Sequence, residues 1–334
     1  MIPHPTPTCQ TSNWRKALSQ AVRDPAELLE LLALPPELLP AAQQAATQFP
    51  LRVPRSFVAR MQKGNPADPL LRQVLPLGEE LVATDGFTAD PVGDMEAMAI
   101  PGLLHKYTGR VLLITTAACG IHCRYCFRRH FPYQQANAAT MDWQPALDYI
   151  AADPSIHEVI LSGGDPLSLS DQRLSQLVAQ LAAIPHLKRL RLHTRQVIVL
   201  PERVNTELLG WLEACRFQTV IVVHANHPNE INHDVAAALR QLKETGATLL
   251  NQTVLLQGVN DDVSVLVALS ERLFATQVLP YYLHQLDRVQ GARHFEVTDT
   301  HALKLIHELR KSLPGYLVPR LVREQAGKLS KIPL

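Results

Sequence analysis

The chain has 334 residues, of which 46% are hydrophobic and 19% charged, and its 32 basic and 31 acidic side chains leave a net charge of +1. This composition is typical of a folded globular protein and argues against disorder and against nucleic-acid binding through bulk positive charge. No apolar run is long enough to span a membrane, and the amino-terminal sequence lacks the pattern of a secretory signal. Five cysteines are too few for a disulfide scaffold, so we expect a cytoplasmic protein without membrane or nucleic-acid partners.

Residues 1–100 are predicted to form short helices separated by prolines, and this segment carries few residues with an evident chemical role. Asp24-Pro25 is typical of a helix start, because a carboxylate can cap free amides and proline is tolerated in the first turn. We therefore expect an amino-terminal helical extension that packs on the main domain.

From residue 101 the pattern changes to alternating strands and helices. Branched apolar runs predict six strands, at residues 110–116, 157–163, 187–194, 217–225, 247–256 and 277–284. Amphipathic stretches predict helices between them, for example at 171–184 and 233–246.

This order of elements predicts an α/β fold with a parallel sheet. Six units are fewer than the eight of a full TIM barrel, so we expect a partial (βα)6 TIM-type barrel over residues 101–315. Residues 316–334 would form a separate carboxyl-terminal segment. A doubly wound sheet is the alternative architecture.

Three of the five cysteines, Cys119, Cys123 and Cys126, follow the first predicted strand in the run CGIHCRYC, whereas Cys9 and Cys215 are isolated. Buried apolar thiols and a disulfide are alternative interpretations, and a zinc site would need a fourth ligand, for which His122 and His130 are the candidates. An iron–sulfur cluster held by three thiolates would leave one iron open to another ligand, as catalytic metal sites do. We favour the cluster.

The C-x3-C-x2-C spacing at the end of a barrel strand resembles that of the radical S-adenosylmethionine enzymes. The resemblance implies a [4Fe-4S] cluster on Cys119, Cys123 and Cys126, with S-adenosylmethionine on the open iron. It also implies a reductant protein such as flavodoxin or ferredoxin.

Longer strings are similar to a narrower family, the lysine 2,3-aminomutases, over about residues 85–334. These strings include DPVGD, PGLLHKYTGRVLLIT, CRYCFRR, SGGDP, NHPNE and NQTVLLQGVND. The resemblance implies that S-adenosylmethionine is bound by Gly163, Gly164, Asp165, Arg195, His224 and Gln252. In SGGDP, the exposed amides of the two glycines would meet a ligand carboxylate, and Asp165 would hold an ammonium or hydroxyl. A strand-to-helix turn is the alternative for SGGDP, and hydrogen-bonded core positions are the alternative for His193, His224 and His227.

The same family uses pyridoxal 5′-phosphate, and the resemblance implies that Lys331 binds this cofactor covalently, next to Lys106, Tyr107 and Arg110. Lys106 stands where the family usually has arginine and loses the bidentate fork of a guanidinium. Lys328 is a competing candidate for the covalent link, because residues 326–330 replace the family's usual glycine run.

A lysine substrate would need a cation for its carboxylate and anions for its ε-ammonium. The resemblance implies Arg128 for the carboxylate, and Asp287 and Glu324 for the ammonium, with Glu324 in place of the usual aspartate. It implies a 1,2-amino migration that converts L-lysine to β-lysine. Solvated surface charge is the alternative for either acid alone.

Two further functions remain open from the sequence. A related radical enzyme on glutamate would have to bring a second carboxylate to the two acids, which would repel it. A non-catalytic metal-binding module would use only the cysteines.

Glu324, the missing glycine run and the short sequence after Lys331 resemble a bacterial branch of the family. That branch prepares (R)-β-lysine for elongation factor P, to which a separate lysyl-transferring enzyme attaches it. We therefore expect a functional link to these two proteins.

Overall fold

The computed structural model describes residues 14–136 and 143–334, so Cys9 lies outside the described residues. In these ranges the α-helices are α1 Trp14–Ser19, α2 Pro25–Leu31, α3 Leu39–Gln48, α4 Arg55–Val58, α5 Pro69–Arg72, α6 Tyr133–Ala136, α7 Gln144–Ala152, α8 Asp171–Ala182, α9 Gln196–Val199, α10 Thr206–Glu213, α11 His233–Glu244, α12 Val263–Ala275 and α13 Asp299–Ser312. The strands are β1 Met98–Ile100, β2 Leu103–Tyr107, β3 Arg110–Thr116, β4 Glu158–Gly163, β5 Arg189–Thr194, β6 Gln218–Val223, β7 Thr248–Val254, β8 Leu279–His284, β9 Arg320–Arg323 and β10 Ile332–Pro333.

Within the described ranges, the strands form one sheet in which each strand pairs with its neighbours in the sequence. Strands β3 to β9 are parallel, while β1, β2 and β10 pair antiparallel at the two ends. The sheet begins at β1 and ends at β10, so it is open. This arrangement confirms the α/β partial barrel, and it adds β9 to the six parallel strands expected from the sequence.

The six predicted strands correspond to β3–β8. The helices that cover them are explained by apolar residues that recur at helical spacing. Helix α8 buries Leu174, Leu177, Val178 and Leu181, which recur at helical spacing on one face. Ser170 begins this helix by accepting a hydrogen bond from the amide of Arg173 at 3.3 Å. These helices and strands share the largest hydrophobic core of the molecule.

The amino-terminal helices α1–α5 form a second core that also includes loop residues of the barrel. Phe57, Leu70 and Leu71 are fully buried there, together with Ile121 from the cysteine loop and Val199 from α9. Asp24 accepts a hydrogen bond from the amide of Ala26 at 2.9 Å, which confirms the predicted helix start at Pro25. The helices therefore cover the loops after β3 and β5, while the domain boundaries at 100 and 315 remain predictions.

Because β3–β8 run in parallel, their carboxyl ends meet at one edge of the sheet. The cysteine loop follows β3, the SGGDP turn ends β4, Arg195 follows β5 and His224 follows β6. None of the helices in the described part of the chain has the length and apolar character needed to span a membrane.

Candidate active site

A cavity of about 510 Å³ opens at this edge, a size typical of small-molecule sites. The structure brings all of the predicted site residues to its lining. They are Lys106, Tyr107, Arg110, Cys119, Cys123, Cys126, Arg128, Gly163, Gly164, Asp165, Arg195, His224, Gln252, Asp287, Glu324 and Lys331.

The cysteine loop is fixed by hydrogen bonds to the amino-terminal helical layer. The amide of His122 donates to the carbonyl of Arg52 at 2.9 Å, and the amide of Arg124 donates to the carbonyl of Gln73 at 2.9 Å. The amide of Cys126 donates to the carbonyl of Cys123 at 3.0 Å, which closes a tight turn. The three thiols therefore line the cavity on a loop whose backbone is hydrogen-bonded to the amino-terminal segment.

The raised pKa values of Cys119 and Cys126 show that their thiolate forms need a positive charge nearby. Burial and the neighbouring thiols raise the pKa of Cys126 to about 11 and raise that of Cys119 well above its ordinary value. Three thiolates side by side therefore cost free energy unless positive charge lies between them. Iron supplies that charge, so the donor set fits an iron–sulfur cluster.

Each of the two histidines proposed as a fourth zinc ligand has one ring nitrogen beside a backbone carbonyl oxygen. The Nδ1 atom of His122 lies 2.8 Å from the carbonyl oxygen of Pro50, and the Nε2 atom of His130 lies 3.1 Å from that of Gln290. Among the described residues, no group of three His, Cys, Asp or Glu side chains is placed so that it could hold a single metal ion. A cubane does not require such convergence, because each thiolate binds a different iron.

The SGGDP turn packs directly against the cysteine loop. A Cβ atom on Gly164 would lie 2.4 Å from the carbonyl oxygen of Ala118, so only glycine fits at this position. The amide of Gly164 donates to the carbonyl of Thr116 at 2.7 Å, whereas the sequence suggested that the glycine amides face a ligand. Close backbone packing is thus one reason for this glycine.

Asp165 connects this turn to the next strand. Its carboxylate accepts hydrogen bonds from the hydroxyl of Thr194 at 2.8 Å, the amide of Arg195 at 2.7 Å and the amide of Gln196 at 2.9 Å. The sequence suggested that Asp165 binds a ligand ammonium or hydroxyl, a role that remains a prediction. In the structure the carboxylate orients the loop after β5.

Arg195 lies at the centre of a buried polar network that sequence reasoning missed. Its guanidinium donates to Cys123 Sγ at 2.8 Å, to Gln73 Oε1 at 2.7 Å and to Glu230 Oε2 at 3.1 Å. Asn226 donates to the same oxygen of Gln73 at 2.9 Å. The amino-terminal helical layer therefore contributes a side chain, Gln73, that bonds directly to residues of the cavity.

His224 is neutral at this end of the cavity. Burial, and then the charge of Arg195, lower the pKa of His224 to about 3. Its Nε2 atom lies 3.3 Å from the hydroxyl of Tyr125. A neutral imidazole can both donate and accept, which suits contact with a polar ligand.

At the other end of the cavity, five charged residues form a continuous series of ion pairs. Arg128 Nε lies 2.6 Å from Asp94 Oδ2, and Asp94 Oδ1 lies 2.6 Å from Lys106 Nζ. Lys106 Nζ also lies 3.2 Å from Glu324 Oε1, and the other oxygen of Glu324 pairs with Lys331 Nζ. The proposed carboxylate-binding arginine is thus linked to the proposed cofactor lysine.

The short strand β10 explains why Lys331 reaches this site. It pairs antiparallel with β9, with Ile332 opposite Arg323, so Lys331 lies beside Glu324 at the strand ends. Lys328, the competing candidate, is exposed to solvent in the turn between the strands. The geometry therefore favours Lys331.

Asp287 offers an acceptor at the same end. Its buried Oδ1 atom has no hydrogen-bond partner in residues 14–136 and 143–334. Burial, and then the charge of Glu324, raise the pKa of Asp287 to about 7. By contrast, burial alone would raise the pKa of Glu324, but Lys331 and Lys106 hold it at about 2.

We expect Asp287→Asn to stabilise the cofactor-free protein in a pH-dependent way. Between about pH 4 and 7 the folded state keeps a proton on Asp287 that the unfolded chain has lost, so this carboxyl destabilises the fold increasingly as the pH rises. Asparagine removes the penalty. The melting temperature of the variant should exceed that of the wild type by a few degrees at pH 8 and converge on it near pH 4. An advantage that is largest in acid would contradict this account.

Two further buried polar atoms at this end make no hydrogen bond within the described residues. In the described part of the chain, Nε of Arg191 and Nε2 of His193 are buried without a hydrogen bond, and both residues line the cavity. The guanidinium of Arg110 stacks over the Tyr107 ring at 4.6 Å. A cofactor with a phosphate and polar ring atoms would satisfy such a set, so these residues fit pyridoxal phosphate.

Comparison with known proteins identifies close relatives of the chain. Residues 108–194 match the family model described as a 4Fe-4S single cluster domain. Proteins named L-lysine 2,3-aminomutase are 48% identical in Haemophilus influenzae, over 96% of this chain and 95% of that protein, and 48% identical in Escherichia coli, over 98% and 96%. One of the same name from Clostridium subterminale is 34% identical over 97% of this chain and 78% of its own length.

Proposed function

Because this chain belongs to the L-lysine 2,3-aminomutase family, we propose that it moves the amino group of L-lysine from the α-carbon to the β-carbon. One observation carries the proposal. A single cavity has three thiols at one end and, at the other, a cation for a carboxylate, two acids for an ammonium and a lysine for a carbonyl cofactor.

We propose that Cys119, Cys123 and Cys126 hold a [4Fe-4S] cluster, with S-adenosylmethionine beside Arg195, His224, Gln252 and the SGGDP turn. Pyridoxal phosphate would be held by Lys331, Lys106, Tyr107 and Arg110. When bound, these groups supply radical chemistry and a conjugated carbonyl for the migrating nitrogen.

The protein's own contribution is to hold lysine in one orientation. Arg128 is buried and would bind the substrate carboxylate through paired hydrogen bonds. Asp287 and Glu324 would accept hydrogen bonds from the ε-ammonium at the other end of the lysine molecule. A bond between Lys331 and the cofactor would remove the cation that pairs with Glu324 here and leave this carboxylate available to the substrate.

The enclosure of the site supports the same function. The amino-terminal helices cover the cysteine loop, and Gln73 fills the space behind Arg195 with a buried amide. Excluding water protects reactive species and strengthens the charge interactions that fix the substrate.

The charges of the site favour lysine over glutamate. In an anaerobic assay with the reconstituted enzyme, S-adenosylmethionine and a reductant, we expect β-lysine from L-lysine. Equal concentrations of L-glutamate should give product at least about 100-fold more slowly, because a side-chain carboxylate would face Asp287 and Glu324. Faster conversion of glutamate would contradict the proposed substrate.

We also propose that the product is (R)-β-lysine and supplies the modification of elongation factor P by a separate lysyl-transferring enzyme. Glu324 and the absence of a glycine run at residues 326–330 support this branch. A flavodoxin or ferredoxin would provide the electron. Half-buried thiols that must stay reduced support a cytoplasmic location.

A further inference from the structure

Asp94 is a buried carboxylate between two cations of the cavity. It is 2% exposed, and its two oxygens each lie 2.6 Å from a cationic nitrogen, one on Arg128 and one on Lys106. Burial alone would raise the pKa of Asp94, but these two cations hold it below its ordinary value. Asp94 is therefore an anion that pairs both with Arg128, proposed for the substrate, and with Lys106, proposed for the cofactor.

The loop that carries Asp94 is fixed by contacts beyond the two ion pairs, including a hydrogen bond from Lys106 Nζ to the carbonyl of Val92 at 2.8 Å. Asp90 accepts hydrogen bonds from the amides of Asp94 and Met95, both at 2.9 Å, which close the turn. Gly93 has φ +67°, and a Cβ atom there would lie 2.9 Å from the Cβ atom of Ala326 in the carboxyl-terminal segment. Asp94 thus has a defined position beside Arg128.

The contact uses only one edge of the Arg128 guanidinium. Asp94 accepts from Nε, whereas NH1 lies 3.4 Å from the hydroxyl of Ser162 at the cavity wall. The guanidinium plane also contacts the rings of Phe127 and Phe131, at 4.8 and 6.0 Å from their centroids. The terminal nitrogens are the donors left for a carboxylate ligand.

We propose that Asp94 is a positioning residue for the substrate carboxylate: it occupies the Nε edge of Arg128, so that the ligand binds only the terminal edge. This inference rests on the proposed function and adds a residue that determines how lysine is oriented. Without Asp94, either edge of the guanidinium is open to a carboxylate and the orientation of lysine is no longer unique.

The test compares two ligands on Asp94→Asn. Calorimetry would measure L-lysine and 1,5-diaminopentane, which lacks the carboxylate, on enzyme that contains cluster and pyridoxal phosphate but no S-adenosylmethionine, so that nothing turns over. We expect the Kd of lysine to rise about tenfold or more and that of the diamine to change less than about twofold. Asparagine lacks the charge and has one acceptor oxygen in place of two, so it would present an NH2 donor to one of the two cations.

Glu96→Gln is the matched control, because it removes an exposed carboxylate two positions along the same loop and should change neither Kd. Asp94→Glu keeps the charge and should bind lysine more tightly than Asp94→Asn. If Asp94→Asn loses iron and sulfide, Asp94→Ser, which also removes the carboxylate, takes its place, and a wild-type ratio of the two affinities in that variant would overturn the inference.

An equal loss of affinity for both ligands in Asp94→Asn would also overturn it, because Asp94 would then act on the fold or on the ammonium end. So would unchanged lysine binding. A wild-type enzyme that does not bind lysine at all would instead overturn the proposed function. The two failures are therefore distinguishable.

Discussion

Cys126→Ala is expected to lose the iron–sulfur cluster and, with it, all lysine turnover. Three thiolates already leave one iron of a cubane without a protein ligand, and two thiolates would leave a second iron exposed to solvent. After anaerobic reconstitution, the iron and sulfide contents should fall below about one tenth of the wild-type values. Cys126 is a suitable choice because Cys123 also accepts a hydrogen bond from Arg195, whose loss would complicate the result.

Cys215→Ala is the matched control. This thiol is half-buried against the main hydrophobic core and precedes β6, at the end of the sheet opposite the cavity. Iron, sulfide and turnover should remain at wild-type levels, with at most a modest loss of stability. A Cys126→Ala protein that keeps its full iron content would contradict the ligand assignment.

Lys331→Ala is expected to abolish covalent binding of pyridoxal phosphate while the cluster is retained. The β10 strand places this amine in the cavity beside Glu324, and alanine cannot form a bond to the cofactor carbonyl. Turnover should fall on the order of 10³-fold or more. The absorbance of the bound cofactor after gel filtration, measured together with iron content, checks both parts.

Lys328→Ala removes an amine three positions earlier in the sequence, where the side chain is exposed. This control should keep both the cofactor absorbance and the turnover. If Lys328→Ala lost the absorbance and Lys331→Ala kept it, the covalent link would belong to Lys328.

The sequence predicted β3–β8 because each is a branched apolar run that is buried in the sheet. It did not predict β1, β2, β9 and β10, which are short and mostly border the sheet. Strand β10 has only two residues, one of them a proline, and such a pattern does not distinguish a strand from a tail. Its position is decided by pairing with β9, which is a tertiary contact.

The candidate site could be predicted where its residues follow strands, since parallel strands bring their carboxyl ends together. Gln73 and Asp94 could not, because their partners are distant in the chain. Gln73 donates a hydrogen bond to Glu230, 157 positions away. Neither Gln73 nor Asp94 belongs to a periodic pattern of apolar residues. The DPVGD string was noted, yet nothing in it shows that Asp94 lies between Arg128 and Lys106.

The SGGDP turn shows a different limit. Its glycines suggested free amides for a ligand, and one of them is required by contact with the backbone of Ala118. A glycine that permits close packing and a glycine that binds a ligand have the same appearance in a sequence. The distinction needs the positions of the neighbouring atoms.

The most direct test of the proposed amino migration uses L-lysine labelled with ¹³C at the α- and β-carbons and with ¹⁵N at the α-amino group. The enzyme is reconstituted anaerobically with iron, sulfide, S-adenosylmethionine, pyridoxal phosphate and a reductant, and the carbon–nitrogen coupling is followed by NMR. We predict that the ¹⁵N coupling moves from the α-carbon to the β-carbon of the same molecule. Coupling that remains on the α-carbon after complete reconstitution, or a β-amino product without ¹⁵N, would contradict the account.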